Sequence, residues 1–390
     1  MSKGGKYLKP KATGGKKKGN AKKTALVVAC IVLALLLAVM IGVYAYINGL
    51  FGKMNQVEVE KIDYAALATE TYETTEATEA AEATEVTTEA TTEATTEPTE
   101  PHVASSADYI NFLVVGQAAR EGETKNQDRS ADTAILFTLN THEKTLTMTS
   151  LLRDTLIRGA TYKGHTWGGI KLTTVYNMGY QWNGVAGSME VMNTTLFLNF
   201  GIEVDHNFEV DFNGFIDLIN LMGGVDIELT EAEAAYLNAD DFWVYKDVEP
   251  GWNNLSGMPA LSFVRMRKVN NNESDILRTD RQRRFIEAII DKLKTKSVSE
   301  LMDLVNAALP MITTSMSNDE LMDMALKVLP MLSELELVKG GTCPANYEGD
   351  MLDIYKDGRL HSVLYFNEQE TKAYMRAITE GEGVIAETAE

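Results

Sequence analysis

Residues 24–52 are the feature of this sequence that most restricts its architecture, because they contain no charged side chain. About 20 apolar residues in a helix cross the hydrocarbon core of a bilayer, so the run predicts a transmembrane helix. A cleaved signal peptide is the alternative, but its apolar core is about 7–15 residues long and ends in small residues. This run is longer and ends in Tyr44, Tyr46 and Phe51, which is typical of the boundary between lipid and water.

The charges on either side of the run predict its orientation. Residues 1–23 contain nine lysines and no acid, although the whole chain has a formal charge of −20. Positively charged flanks stay in the cytoplasm, so we expect a basic cytoplasmic tail at 1–23, a single membrane span at 24–52, and the remainder outside the cell. An acidic external region excludes nucleic acid as a partner, which requires a basic face. Cys30 and Cys343 form neither a disulfide framework nor a metal motif.

Residues 53–106 predict a short stalk followed by an acidic tether. The tether is composed mainly of Thr, Glu and Ala, and no Lys or Arg occurs between Lys61 and Arg120. Such a polar and self-repelling segment cannot bury enough apolar surface to form a core. We therefore expect the principal folded domain at 107–296, with the C-terminal helices and hairpin of 297–390 packed on the same domain.

The pattern after residue 107 predicts a mixed α/β fold in which helices cover a central sheet. YINFLVVG is typical of a buried strand, and residues 134–150 of a hairpin. The segments HNFEVDF and GGVDIEL predict strands on either side of a helix, and KDG predicts the turn of a final hairpin. Helical spacing occurs at 186–199, 212–222, 256–267, 278–296, 299–309, 318–332 and 367–379.

An arginine-rich segment, FVRMRKVNNNESDILRTDRQRR, runs from Phe263 to Arg284 and holds six of the twelve arginines in this acidic chain. Guanidinium groups bind phosphate through paired hydrogen bonds and remain charged at any relevant pH. The segment is therefore a candidate clamp for a pair of phosphates. Ion pairing along the helix surface is the alternative, and composition alone leaves both interpretations open. The acids available for it are Glu273, Asp275, Asp280 and Glu287.

Two shorter motifs place arginine beside aspartate at strand ends. Arg153 and Asp154 follow a buried strand, where open α/β sheets present ligand groups; a salt bridge in a turn is the alternative. Arg129 and Asp132 precede another strand, where the acid is either a ligand for a divalent cation, which prefers oxygen, or a cap. The sequence contains no phosphate-binding P-loop, no G-x-S-x-G and no H-E-x-x-H.

The order of these motifs resembles the LytR-CpsA-Psr family of bacterial envelope proteins, over about residues 108–296. The segments carrying the resemblance are LLRDT, VDFNGFIDLINLMGGVDIEL, LSFVRMR and SDILRTDRQRR. The resemblance implies a bacterial cell of Gram-positive type, an α-β-α domain and a phosphotransferase activity. The enzyme would move a glycopolymer from a polyprenyl-pyrophosphate carrier to peptidoglycan, typically to the 6-hydroxyl of N-acetylmuramic acid. A hydrolase of the same lipid-linked substrate and a non-catalytic polymer-binding or regulatory protein are the alternatives.

The resemblance also implies roles for particular residues. Asp132 and Asp154 fall on acidic positions linked to proton removal or to Mg²⁺, and Arg153 lies beside them as a third catalytic residue. Asp275 is a second possible Mg²⁺ ligand. The resemblance implies that Arg153, Arg265, Arg267 and Arg278 bind the pyrophosphate and that Gln282 lies near the same site. Arg129 is a further candidate ligand.

The sequence departs from the family pattern at two positions. Ala118 stands where the family often has an aspartate that helps to hold magnesium, while Arg120 keeps the arginine that follows. Arg129 and Asp132 are separated by two residues, where one is common.

Overall fold

The computed structural model describes residues 49, 51–68, 108–117, 129–239, 247–266, 268–269, 272–273, 275–331, 334–355 and 358–381. The predicted cytoplasmic tail, almost all of the predicted membrane span and the predicted tether beyond residue 68 lie outside these residues. Among the helices that are described, none combines the length and the apolar character needed to cross a membrane.

A mixed sheet forms the centre of the domain, which confirms the expected sheet covered by helices. Within the described residues it has seven strands in the order β1-β14-β9-β2-β3-β4-β15. The pairs β1–β14, β9–β2 and β4–β15 are parallel, and the others are antiparallel. The strands of this sheet are β1 Asn55–Gln56, β2 Tyr109–Gln117, β3 Ala131–Asn140, β4 Thr145–Leu151, β9 His206–Asp211, β14 Thr313–Thr314 and β15 Glu336–Cys343.

The remaining strands pair outside the central sheet, as β5–β8, β6–β7, β10–β11, β12–β13 and β16–β17. Four of these strands follow β4 in the chain and are β5 Leu156–Ile157, β6 Ala160–Tyr162, β7 His165–Trp167 and β8 Ile170–Lys171. The others are β10 Val225–Leu229, β11 Gly251–Leu255, β12 Lys268–Val269, β13 Asn272–Glu273, β16 Tyr347–Leu352 and β17 His361–Phe366.

Helices cover both faces of the central sheet. The helices of the described region are α1 Leu172–Phe200, α2 Phe212–Leu221, α3 Glu231–Ala239, α4 Gly257–Arg265, α5 Asp275–Lys294, α6 Val298–Ala308, α7 Asn318–Val328 and α8 Glu368–Thr379. Alternate residues of a strand point to opposite faces. Leu113 and Leu136 therefore pack on one face with Tyr176 of α1 and Met375 of α8. Val114 faces α2, α4 and α5 on the other.

The longest helix, α1, differs most from its predicted bounds. The pattern predicts a helix at 186–199, and the structure extends it back to Leu172 across a bend at Asn183 and Gly184, which have non-helical backbone angles. The two halves touch where Gly179 meets Gly187: a Cβ added to Gly179 would lie 2.4 Å from the Gly187 carbonyl oxygen. The two glycines thus allow the two halves of the helix to approach closely. The bend interrupts the helical period, so the pattern predicts only the second half.

The predicted stalk is part of the folded domain where the structure describes it. Asn55 and Gln56 pair with β14 at the edge of the sheet. Met54 and Leu67, which precede and follow Tyr64 in the sequence, are buried. The centroid of the Tyr64 ring lies 4.8 Å from that of Phe197. We call residues 51–68 the N-terminal strap. Val57 and Val59 alternate with exposed residues, and Ile62 is half-buried as well, so this part has apolar side chains with which it packs on the domain.

The chain after residue 297 supplies two strands of the central sheet. β14 pairs with β9, and β15 pairs with β4 in parallel. β16 and β17 pair with each other as the predicted final hairpin. The helix after it begins behind Asn367, whose side chain accepts a hydrogen bond from the Glu370 amide, as expected of a helix cap.

Candidate functional site

An apolar cavity of about 260 Å³ lies between the central sheet and helices α2, α4 and α5. Val114, Ile135 and Phe137 line it from the sheet. Phe215, Leu218, Phe285 and Ile289 line it from the helices. A cavity lined in this way accommodates a hydrocarbon chain, because its walls offer few polar groups to compete with dispersion contacts.

One end of this cavity is polar. Asp132, Asp211, Arg265, Arg278 and Gln282 line it together with Thr133. Gly116 pairs with Thr133 and Val210 in neighbouring strands, whereas Phe137 pairs with Phe112 farther along the sheet. The strand register therefore separates a charged end from an apolar end, and the site suits an amphipathic ligand with an anionic head.

Three elements position the polar groups at this end. Arg265 ends α4, and its Cζ atom lies 4.4 Å from the centre of the Phe212 ring. Arg278 and Gln282 stand four residues apart on α5 and are only 4% and 8% exposed. The Gln282 amide donates to Thr133 Oγ1 at 2.8 Å, which connects α5 to β3. Positions i and i+4 share a helix face, so Arg278 and Gln282 line the same cavity.

Arg153 joins the cavity to a second acid. Its guanidinium contacts Asp132 at 2.9 Å and Asp154 at 3.8 Å. The contact with Asp132 arises because β3 and β4 are antiparallel, so that the start of β3 and the end of β4 lie side by side at the same end of the sheet. Lys171 Nζ lies 2.9 Å from the other oxygen of Asp154. The two predicted strand-end motifs therefore form one network.

Lys171 was not a candidate from the sequence. It ends the two-residue strand β8, just before α1, and no local motif distinguishes it from other lysines. Only the pairing of β8 with β5, which follows Asp154 in the chain, brings the two residues together.

Arg129 lies apart from the cavity lining, beside a buried carboxylate that the sequence interpretation missed. Its guanidinium is 3.7 Å from Glu209 and 4.2 Å from the centre of the Tyr180 ring. The Tyr176 hydroxyl donates to Glu209 at 2.6 Å. Burial raises the pKa of Glu209, although this hydrogen bond and the charge of Arg129 act in the opposite direction. The available signal was an acid inside the alternating strand β9, where Glu209 occupies a buried position.

The arginine-rich segment serves two purposes. Arg281 and Arg284 contact Glu233 of α3 at 3.0 and 2.9 Å, so they belong to an internal ion-pair network. The partner acid comes from another helix, 48 residues earlier than Arg281, rather than from the neighbouring acids of the segment. Arg265 and Arg278, in contrast, line the cavity. The segment is therefore divided between arginines that pair with an acid of another helix and arginines that line the cavity, and the phosphate clamp stays a prediction for the latter.

Arg267, a predicted pyrophosphate ligand, lies outside the described residues, as do Ala118 and Arg120. The backbone of Asp275 begins α5, but its side chain is not described.

The described acids fit a magnesium ion only together with a ligand. Within the described ranges no group of three or more His, Cys, Asp or Glu side chains is arranged to hold a metal. Magnesium is usually bound through one or two carboxylates together with phosphate oxygens and water. Asp132 lies at the polar end of the cavity beside Arg265 and Arg278, so it would fit a magnesium ion brought in with a phosphate ligand.

The fold and the cavity define a class: an α/β domain with an apolar cavity between its sheet and helices, and with arginines at the polar end of that cavity. The sequence profile described as the LytR_cpsA_psr family matches residues 66–362, which is most of the chain. The chain belongs to this family, and the resemblance seen in its motifs is confirmed.

Two relatives and one solved structure illustrate the similarity. The chain is 31% identical over 194 residues to the polyisoprenyl-teichoic acid–peptidoglycan teichoic acid transferase TagV of Bacillus subtilis, which is 48% of this chain and 44% of that protein. It is 30% identical over 241 residues to TagT, of the same description and organism, which is 60% of this chain and 66% of that protein. The chain therefore spans less than two thirds of either relative.

The solved structure is that of protein gbs0355 from Streptococcus agalactiae. It covers 73% of this chain and 91% of its own, with 25% identity and a TM-score of 0.57. This similarity confirms the mixed α/β fold.

Proposed function

We propose that the protein is a membrane-anchored phosphotransferase. It moves an anionic wall glycopolymer, of the teichoic or capsular kind, from a polyprenyl-pyrophosphate carrier to peptidoglycan. The observation that carries the proposal is the cavity, which is apolar along the sheet and ends in Arg265, Arg278 and Gln282. A polyprenyl pyrophosphate has the same division into hydrocarbon and anionic head. The names of TagV and TagT, which describe teichoic acid transferases, support the proposal.

The arginines would bind the pyrophosphate and stabilise the charge that develops during transfer. Phosphoryl transfer depends on positioning and charge neutralisation more than on covalent chemistry by the protein. Buried guanidinium groups are fixed before the reaction, so their interaction with the departing phosphate needs little reorganisation. Arg265 and Arg278 contact the cavity directly. Arg153 extends the positive charge toward Asp154.

Asp154 would accept the proton of the attacking sugar hydroxyl. The hydroxyl oxygen bonds to the phosphorus next to the transferred polymer, the bridging P–O bond breaks, and polyprenyl phosphate leaves. The proton passes to an oxygen of Asp154, which Lys171 and Arg153 hold in place. A general base contributes typically 10²–10⁴-fold to such a step.

Magnesium is part of the proposal as a cofactor held by Asp132. Bound there, it would add positive charge next to the pyrophosphate oxygens. Asp275 remains the second proposed ligand. Because Asp132 already contacts Arg153 at 2.9 Å, the protein itself supplies part of the neutralising charge at this position.

The location of the protein follows from its sequence. The uncharged run at 24–52 and the lysines before it favour a single-pass protein of the cell membrane, with its N-terminus in the cytoplasm and its folded domain outside. Both the carrier lipid and the peptidoglycan acceptor are accessible from that side.

The proposal is tested by transfer of polymer from a lipid-pyrophosphate donor to peptidoglycan fragments, using the full-length chain in detergent. We expect Arg265→Ala and Arg278→Ala to reduce the rate by about 100-fold or more, as for other fixed charges at a transition state. Arg376→Ala is the matched control, because Arg376 lies on α8, on the opposite face of the sheet. Normal turnover by both cavity variants would refute the proposal. Release of free polymer to water would favour the hydrolase, and tight lipid binding without turnover a binding protein.

A further inference from the structure

The hairpin formed by β16 and β17 borders the candidate site without belonging to the central sheet. The Leu364 amide of β17 donates to the carbonyl oxygen of Asp154 at 3.0 Å, and Thr155 forms a parallel bridge with Leu364. Val363 and Phe366 are buried, and the Phe366 ring lies 5.1 Å from that of Phe200. The hairpin is therefore fixed to the domain core beside the proposed proton acceptor.

A second contact joins the loop of this hairpin to the start of α1. The Tyr355 and Thr174 hydroxyl groups are 2.8 Å apart. The neighbouring residue, Thr173, donates its amide hydrogen to the Arg153 carbonyl at 3.0 Å. Tyr355 is thus connected to Arg153 through Thr174 and the neighbouring Thr173 by two hydrogen bonds. It also meets the His361 ring edge-on, with centroids 4.8 Å apart.

The hairpin exposes several large hydrophobic side chains to solvent. Met351, Tyr355, Leu360 and Tyr365 are 51%, 38%, 64% and 40% exposed. These residues are four of the eleven large hydrophobic side chains exposed in the described part of the chain. Tyr365 lies on the same face of the hairpin as His361, whose ring meets that of Tyr355, whereas Met351 pairs with Ser362 on the other face. Exposed large hydrophobic side chains that lie on one face mark a binding surface more often than isolated ones do. We call Tyr355, Leu360 and Tyr365 the hairpin platform.

The order of contacts assigns the platform to one of the two substrates. Asp132 lines the cavity proposed for the carrier lipid, and Arg153, Asp154 and the hairpin follow it in a continuous series of contacts. An in-line displacement requires the attacking oxygen to approach from the side opposite the leaving group. The lipid phosphate leaves toward the cavity, so the acceptor must approach on the side of Asp154, where the hairpin lies.

Charge selects among possible occupants. Residues 347–366 contain four acids and two bases, so this region repels both a polyphosphate polymer and an anionic membrane surface. An uncharged glycan meets no such penalty. The apolar C–H faces of its sugar rings pack on aromatic side chains, while its hydroxyl groups bond to neighbouring polar groups. Aromatic rings with polar edges, such as Tyr355 and Tyr365, suit this ligand.

We propose that the hairpin platform binds the uncharged glycan backbone of the acceptor and directs one of its hydroxyl groups to Asp154. The inference rests on the proposed transferase function and adds the location of its acceptor subsite. It also gives a role to the part of the chain after residue 297, for which the sequence motifs indicate none.

The test is steady-state transfer by the full-length chain, with soluble peptidoglycan oligosaccharides as the varied acceptor and the lipid donor at saturation. For Tyr355→Ala and Tyr365→Ala we expect the acceptor KM to rise about tenfold, in line with the loss of one aromatic contact. We expect kcat to change less than twofold and the donor KM to remain as in wild type. Trp252→Ala is the control, because Trp252 is 74% exposed on β11, outside the hairpin.

Equilibrium binding of the same oligosaccharide, without donor, separates this inference from the proposed function. If the wild-type chain binds the oligosaccharide but transfers nothing, and Tyr355→Ala removes the binding, the platform is correct and the transferase proposal fails. If the wild-type chain transfers polymer and both hairpin variants keep the wild-type acceptor KM, the platform is wrong. Loss of binding to anionic polymer or vesicles, but not to the oligosaccharide, would also overturn it. Thermal unfolding of each variant establishes that it is folded, and Tyr365→Ala changes no hydrogen bond of the site.

Discussion

At the scale of single residues, the surroundings of each arginine separate those that line the cavity from those that support the fold. Arg278 lines the cavity, whereas Arg281, three residues later, is held by Glu233 and by the Met266 carbonyl. Both side chains are almost fully buried. Residue type and spacing could not separate the two, because the acid that binds Arg281 lies on a different helix.

We expect Glu233→Gln to lower the free energy of unfolding by about 3 kcal/mol, because it leaves the buried Arg281 guanidinium without its anion. Urea denaturation measures this change. Glu231→Gln is the matched control, since Glu231 is an exposed acid at the start of the same helix. Equal stability of the two variants would show that the ion pair contributes little.

The same ion pair predicts a dependence on pH. Burial by itself would raise the pKa of Glu233, but hydrogen bonds from the Thr230 amide and from Arg284 and Arg281 outweigh it, so the pKa is lowered. Stabilisation by a carboxyl of this kind is complete above its unfolded pKa of about 4.3 and is lost as the pH falls through the folded value. We expect the stability difference between wild type and Glu233→Gln to be constant near neutral pH and to shrink below about pH 4. A difference that grows in acid would contradict this assignment.

Asp154 offers a residue-scale test of the chemistry. We expect Asp154→Asn to reduce the transfer rate by about 100-fold or more, because the amide cannot accept the hydroxyl proton. Binding of the polyprenyl-pyrophosphate donor should persist, since Asp154 lies beyond the cavity lining. Single-turnover transfer and equilibrium donor binding measure the two effects separately. Loss of donor binding in this variant would assign Asp154 to the donor site instead.

At the scale of elements, the bend in α1 positions the residues beside Arg129. The helix brings Thr173 and Asn177 against the segment that contains Arg129 and Ala131 through hydrogen bonds at 2.9 and 3.2 Å. Tyr180 continues this surface under the Arg129 guanidinium. The bend at Asn183 and Gly184 comes directly after this surface in the chain. It depends on the close contact between Gly179 and Gly187.

We expect Gly179→Ala to destabilise the domain by about 1–3 kcal/mol, because its Cβ would overlap the Gly187 carbonyl oxygen and force the backbone apart. The midpoint of urea unfolding reports this change. Gly159→Ala is the control, since its Cβ would find no atom nearer than 3.9 Å. If both variants unfold at the wild-type midpoint, the two halves of α1 are not in close contact.

At the scale of the whole molecule, the N-terminal strap changes how the chain is organised. Residues 51–68 pack on the same domain as the strands that begin at Tyr109. The Thr-, Glu- and Ala-rich segment therefore joins two parts of one domain. Its length does not set the distance between residue 51 and the candidate site, as a spacer's length would.

A chain that begins at residue 69 should accordingly be less stable than one that begins at residue 50. Removing the strap uncovers the surfaces that bury Met54, Tyr64 and Leu67, and a fully buried side chain of this size contributes about 1.5–3 kcal/mol. We expect a lower Tm by calorimetry, and weaker folding cooperativity at the β14 edge by hydrogen exchange. Both chains retain residues 69–107, so that segment is controlled for. Identical Tm values would show that the strap is not part of the folded unit.

The sequence by itself determined the class of fold and the family, and it predicted residues that the structure brings to one region. Period-2 and period-3.6 patterns depend only on local geometry, so they predicted β2, β3, β4 and most helices. Arg153, Asp154 and Asp132 stood at strand ends, where the ladder stops and side chains become available to a ligand. These features are local, and a short window of sequence contains them completely.

The tertiary structure decided which groups meet. Glu233 reaches Arg281, Lys171 reaches Asp154, and the hairpin reaches Asp154 only because distant segments share an edge or a face of the folded domain. The same holds for the strap: its short sequence was compatible with a stalk, and its pairing with β14 depends on a strand more than 250 residues later. Local propensity carries no information about partners so far apart in the chain, and burial of both against each other is what selects them.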